Sequence, residues 1–194
     1  MPVAVRHAVT PVAIAALAIA LLSGCTPEGG PVDPGGPTDS GAPSVDPSTE
    51  PTDQPVGVPV GATCDELVPA DTVYLYNPNF SSVDDFSPED GTAAGSALTY
   101  QGVACRWQND TSGDTIDVSV AQLDDDTLTA LKNAAFEDSE MVPTYGEEAY
   151  FVVESGIGEA QVFQGPYWIV AESPVFFEPG DATEIIQSIL AALE

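Results

Sequence analysis

Between Thr26 and Gly61 nothing in the chain can build a core, and this confines any fold to the residues after Gly61. Pro27, Pro31, Pro34, Pro37, Pro43, Pro47, Pro51, Pro55 and Pro59 recur through Gly, Asp, Ser and Thr, and the apolar side chains are isolated valines and an alanine. Too little apolar surface is on hand to offset the entropy of ordering such a tract. Regular proline in a polar, acidic context favours an extended, semi-stiff chain of about 3.1 Å per residue, so the tract reads as a spacer reaching at most about 100 Å.

The residues before the spacer explain what it spaces. Arg6 and His7 form a short basic region, Ala8–Leu22 is an apolar run, and Leu22-Ser23-Gly24-Cys25 comes directly after it. An apolar run of about 15 residues is shorter than the roughly 18–20 that span a bilayer, and its flanks are those of an export signal. Leu-Ser-Gly-Cys in that position reads as a lipobox, with cleavage before Cys25 and a lipid on its sulfur. Stable attachment needs about two acyl anchors, which a diacylglyceryl group supplies. The expected organisation is a lipoprotein signal peptide over 1–24, lipidated Cys25 and its disordered spacer over 25–61, and one domain over 62–194. The expected address is the extracellular face of the cell membrane, with the membrane contact made through the lipid on Cys25.

Charge and residue usage then narrow the chemistry. Loss of the signal leaves Arg106 and Lys132 as the cations against 31 acids, and removes the single histidine, His7. Nucleic acid and anionic lipid surfaces are held through Lys and Arg, so nucleic-acid partners are excluded. Without histidine there is no Ser–His–Asp or Cys–His constellation and no ordinary zinc site. No catalytic residue, cofactor or metal site is assigned, and the chain is read as non-enzymatic. Two alternatives remain: an extracellular calcium binder, and a cell-wall hydrolase built on two carboxylates. For calcium, Asp124-Asp125-Asp126 lacks the alternating ligands and glycine of a calcium loop and reads as a helix start. Asn109, Asp110 and Asp114 read as an ordinary polar turn.

With Cys25 used by lipid, Cys64 and Cys105 are an even pair in an oxidising compartment and are expected to be bridged. The bridge closes a loop of about 40 residues, worth roughly 4 kcal/mol in the chain-entropy description.

Within 62–194 the pattern predicts an α+β domain, an antiparallel sheet packed with helices. Thr63-Cys64-Asp65-Glu66 is a capping box opening a short helix to about Leu67, and Pro69 bars its extension. Val73–Tyr76 fits a short strand or the tail of that helix. Asn77 to about Ser96, with Pro78, Pro88, Gly91 and Gly95, reads as a long surface loop. Val103, Cys105 and Trp107 share one face of a strand. Ile116, Val118 and Val120 alternate with Asp117 and Ser119, as in a sheet with one wet face. The turn Asn109–Asp114 joins these two strands. A helix from Asp124 to about Phe136 turns Leu128, Leu131 and Ala135 inward. Strands are expected over Ala149–Glu154, Glu159–Gln164 and Tyr167–Glu172, with Gly156-Ile157-Gly158 and Gly165-Pro166 as turns. A last helix starts at Asp181, with Glu184 three residues on and Ile185, Ile186, Ile189, Leu190 and Leu193 as its apolar stripe.

Trp107 is expected to pack against the disulfide, and Trp168 to sit in the core or at its rim. Arg106 points to the opposite sheet face, toward an ion pair with a carboxylate. Tyr74, Tyr76 and Phe80, beside Asn77, Pro78 and Asn79, form the candidate binding surface, since recognition concentrates on ordered loops over a rigid scaffold.

Cys64 at a short helix, Cys105-Arg106-Trp107 in a strand and Tyr167-Trp168 in a later one give the chain a resemblance to small secreted lipoproteins of actinobacteria. Those share a lipobox, a Pro-rich spacer and a Cys…Cys-x-Trp domain of unknown function. The resemblance implies a disulfide-linked α+β domain at the cell surface, similar in layout to sensor-like or PsbP-like ligand-binding domains, and it transfers no catalytic residue. The expectation is a monomeric, lipid-anchored envelope protein that binds another envelope protein or a small ligand.

Overall fold

The computed structural model describes residues 57–194. The export signal, Cys25 and the spacer up to residue 56 lie outside the described residues. Over the described residues the fold is α+β, an antiparallel sheet of eight strands with five helices.

The chain enters as β1 (Gly57–Val58), within the tract that composition assigns to the spacer. Helices α1 (Cys64–Leu67) and α2 (Ala70–Tyr76) come next, separated by Pro69. Thr63 caps α1 as its sequence predicts: Glu66 N–H bonds to its hydroxyl, and the Glu66 carboxylate accepts from Thr63 N–H at 2.8 Å. Pro69 ends one helix but serves as the N-cap of the next, so Val73–Tyr76 is helical rather than a strand.

Asn77–Ser96 is not one long loop. It contains β2 (Phe80–Ser82) and the start of α3 (Ala93–Thr99), whose cap, Thr92, accepts a hydrogen bond from Gly95 N–H at 3.0 Å. Strands β3 (Val103–Asn109) and β4 (Thr115–Leu123) form the predicted hairpin. Helix α4 (Asp125–Asp138) crosses to the far edge of the sheet, where β5 (Glu140–Met141) begins the return through β6 (Glu148–Glu154), β7 (Ile157–Gln164) and β8 (Tyr167–Ser173). Helix α5 (Pro179–Ala192) closes the domain. Its N-cap is Glu178 rather than Asp181. The Asp181 carboxylate instead accepts from the backbone N–H groups of Phe177 and Glu178 at 2.8 and 3.0 Å.

The sheet order is β2-β3-β4-β8-β7-β6-β5, with β1 pairing the end of β4. Two meanders therefore meet where β4 lies antiparallel to β8. Period-two alternation divides the side chains between two cores. On one face Cys105, Trp107, Ile116, Val118, Val120, Val162 and Ile169 pack against Leu67, Val73, Ile185, Ile186 and Ile189 of α1, α2 and α5. On the other face Tyr150, Phe163, Trp168 and Val170 pack against Ala97 of α3 and Leu128 and Ala135 of α4. The second face is thus not the wet one that alternation suggests. Helices α3 and α4 cover part of it, and Asp117 and Ser119 are both buried there.

Gly158 belongs to β7 rather than to the turn, which is Ser155-Gly156, both at positive φ. A Cβ on Gly158 would sit 2.1 Å from the carbonyl oxygen of Phe176, so only glycine lets that segment cross the strand.

Candidate functional site

The part of the second sheet face that the helices leave open carries a row of charge. Arg106 on β3 stands opposite Asp117 on β4, Asp117 opposite Glu172 on β8, and Glu172 opposite Glu159 on β7. Cross-strand partners share a face, and like charges placed directly opposite one another oppose pairing. The sequence supplies one compensating cation, and Asp117 takes it. Nε and one terminal nitrogen of the Arg106 fork bond to the two Asp117 carboxylate oxygens, the ion pair expected from the sequence. The guanidinium is further fixed against the Phe86 ring, 4.1 Å from its centroid.

Among the described residues Glu172 has no such partner. Burial pushes its carboxyl up to about 7, and the negative neighbours Glu159 and Asp117 push the same way, while Arg106 pulls against them. Glu159 accepts a hydrogen bond from the Gln161 amide at 2.7 Å, and the Gln161 oxygen in turn accepts from the Trp168 indole N–H at 3.0 Å. The row therefore continues through Gln161 to Trp168, whose ring belongs to the helix-covered core.

Two adjoining hollows run along this row. One, of about 430 Å³, is lined by Arg106, Asp117, Glu159, Glu172, Ile157 and Pro174. The other, of about 580 Å³, is bounded by Trp168, Gln161 and one face of α4 from Leu131 to Asp138. They share Val152, Glu154 and Glu159. Concave surfaces on which polar groups converge, one of them a displaced carboxyl, are where functional sites concentrate. A third hollow, of about 640 Å³, lies between residues 143–147 and the end of α5. There the Glu147 carboxylate accepts from Gly165 N–H at 3.2 Å and the Gln164 side-chain oxygen from Glu147 N–H at 3.1 Å.

Each residue singled out from the sequence has a definite place. Cys64 and Cys105 are disulfide-bonded, their Cα atoms 5.6 Å apart, and Trp107 is buried in the same core. Tyr74 is 67% exposed on α2, but Tyr76 and Phe80 do not join it in a surface. Tyr76 packs edge-on against Phe80 and Phe176 at 6.1 and 6.4 Å, and Phe80 is buried. The strand that begins at Phe80 turns that ring into the core, and the helix over 70–76 lays Tyr76 partly buried against it. Asp124 caps α4, accepting from Thr127 N–H at 2.9 Å. Asn109 accepts from Thr111 and Ser112 N–H, Ser112 bonds Asp114, and Asp110 accepts from the Ser81 hydroxyl of β2 at 2.6 Å, so each of the three side chains already has a hydrogen-bond partner. Among the described residues no group of three or more His, Cys, Asp or Glu side chains is placed to hold a metal ion, and no helix is long and apolar enough to cross a membrane.

Glu159, Gln161 and Glu172 do not stand out in the sequence as site residues, although a signal for them exists. Each is a polar residue at a period-two position inside an otherwise apolar strand. Compared with known proteins, the chain matches no family model, no curated protein and no solved structure.

Proposed function

We propose that the chain is a lipid-anchored protein of the cell envelope whose α+β domain binds a partner protein or small ligand, held off the membrane by the proline-rich spacer. The lipobox, the spacer and the layout resembling small actinobacterial lipoproteins support the address. The observation that carries the binding role is the Arg106–Asp117–Glu172–Glu159 row in an open hollow, three acids in register sharing one committed cation. Like charges directly opposite one another oppose strand pairing, so a row kept for structure alone gains nothing from them. This one is left short by its register and fits a ligand that brings positive charge or hydrogen-bond donors. Pull-down after crosslinking on intact cells tests it: a defined partner lost on Glu172→Arg supports the reading, and recovery unchanged by that substitution contradicts it. Fatty-acid labelling that is lost on Cys25→Ala tests the anchor.

One observation favours the carboxylate-hydrolase reading as the second choice. Glu172, held toward its protonated form, lies beside Asp117, which is bound to a guanidinium, and two carboxyls in unlike surroundings can divide acid and base roles. Hydrolysis of a wall glycan by the pure domain that disappears in Glu172→Gln would select this reading, and an inert wild-type domain eliminates it.

A further inference from the structure

We infer that the outer edge of β6 is a docking surface for a basic, extended peptide segment of a partner protein. The inference rests on reading the domain as a binding module, but it concerns a different surface from the charged row. Strand β5 is two residues long and covers only part of β6, pairing Glu140 with Phe151 and Met141 with Tyr150. Val142 N–H bonds to the Ala149 carbonyl at 2.8 Å, which fixes the alternation: residues 149, 151 and 153 turn their backbone groups outward, toward the β5 side. Beyond Glu140 the chain has become Ser139 and the end of α4, so β5 brings no strand partner to Val153. Sheet edges are ordinarily blunted because they template a further strand, and here the cover stops one pair short.

Apolar side chains stand exposed beside this open edge. Val153 is 46% exposed and Phe177 76% exposed. Phe177 is no loose loop residue: its N–H is tied to the Asp181 carboxylate at 2.8 Å, so the ring stands out from a fixed backbone. Together with Phe151 they line a hollow of about 550 Å³. Its rim is acidic, formed by Glu137, Glu140 and Glu178. Among the described residues both cations are already engaged, Arg106 with Asp117 and Lys132 with Glu148, so none neutralises that rim. One outward N–H and carbonyl pair at Val153, an apolar slot for one side chain and acids on either side are the parts of strand-addition recognition, with positive charge demanded of the added strand. A second copy of this chain is a poor occupant, since it would bring acids to acids.

The test uses a fluorescent seven-residue peptide alternating Lys and Val, and a control in which proline replaces each valine. The control keeps the charge but loses the ladder donors. Anisotropy with the folded domain at physiological salt should show the Lys/Val peptide binding, with the proline control and the Phe177→Ala domain each about tenfold weaker. Amide exchange at Val153 should slow on binding. Phe177 is exposed, so its substitution leaves the fold intact, and Val153→Pro is a second variant that removes one outward N–H. Equal binding of both peptides, binding indifferent to Phe177→Ala, no binding, or concentration-dependent self-association through this edge would each overturn the proposal. Failure here leaves partner capture dependent on Glu172 untouched, whereas failure of the binding reading removes that capture as well.

Discussion

Glu172 and Glu159 face each other in register across β8 and β7, two acids on one sheet face, while Arg106, the cation of that row, is committed to Asp117. This makes Glu172 the residue whose protonation the fold must accommodate. Its ordinary carboxyl value applies in the unfolded chain and about 7 in the folded one, so between these the folded state binds more protons. Stability from this group is then full below the ordinary glutamate value of about 4.3 and is lost as pH rises through the folded value. Glu172→Gln should remove that loss and stabilise the domain at pH 8 by roughly 1–2 kcal/mol, a figure reduced for partial solvent access. Denaturant unfolding of both proteins at pH 5 and pH 8 checks this; an equal gain at both values would show that the effect is not protonic.

Arg106 and Asp117 form the one bidentate pair of the row, with Asp117 the more buried partner. Arg106→Met should cost about 2 kcal/mol, because it leaves a buried acid without its cation, and adding Asp117→Asn should recover most of the loss. A double-mutant cycle by denaturant unfolding measures the coupling. Simple additivity of the two substitutions would contradict the account.

The Cys64–Cys105 bond ties α1 to β3 across a sequence separation of 41 residues and closes off α2, β2 and α3 between its ends. Replacing both cysteines by alanine should lower stability by about 3–4 kcal/mol, the loss falling on the unfolded side of the balance as well as on packing. Comparison of unfolding midpoints with the wild type checks it, and intact mass under native and reducing conditions checks the bond itself.

Gly158 has no room for a side chain. Gly158→Ala should destabilise by about 2–3 kcal/mol through contact with the Phe176 carbonyl, the cost of overpacking a strand crossing. Alanine at Gly156, in the turn at φ +85°, meets no neighbour and should cost only about 1 kcal/mol of backbone strain. The ratio of the two in thermal or denaturant unfolding separates close approach from turn geometry.

How much of the fold is legible in the sequence depends on the strength of its apolar periodicity. Strands β4, β6, β7 and β8 have large alternating side chains, and α4 and α5 repeat theirs at helical spacing, so all six can be read directly. Helix α3 cannot: its buried residues are Ala94 and Ala97, too small to raise a periodic signal among Pro88, Gly91 and Gly95. Strand β2 is three residues long, and only its partner β3 makes it a strand. Asp181 looks like the cap of α5 and draws the expected start too far along the chain, although Pro179 at the first helical position carries the correct signal. Tyr76 and Phe80 look exposed only as long as their segment looks like a loop. The charged row is legible only in part: Arg106 and Asp117 meet in the predicted β3–β4 hairpin, and Glu159 and Glu172 are polar interruptions of apolar strands, but the two halves become neighbours only when β8 returns between β4 and β7.

The central claim, that the open sheet face around Glu172 meets a partner in the envelope, is tested most directly by site-specific photocrosslinking in living cells. A photoreactive amino acid at Glu154, on the rim shared by the two hollows, is compared with one at Thr129 on α4, which lines neither. The account predicts a discrete adduct from position 154 that weakens with Glu172→Arg and is missing from position 129. No adduct at either position, or the same adducts from both, would contradict it.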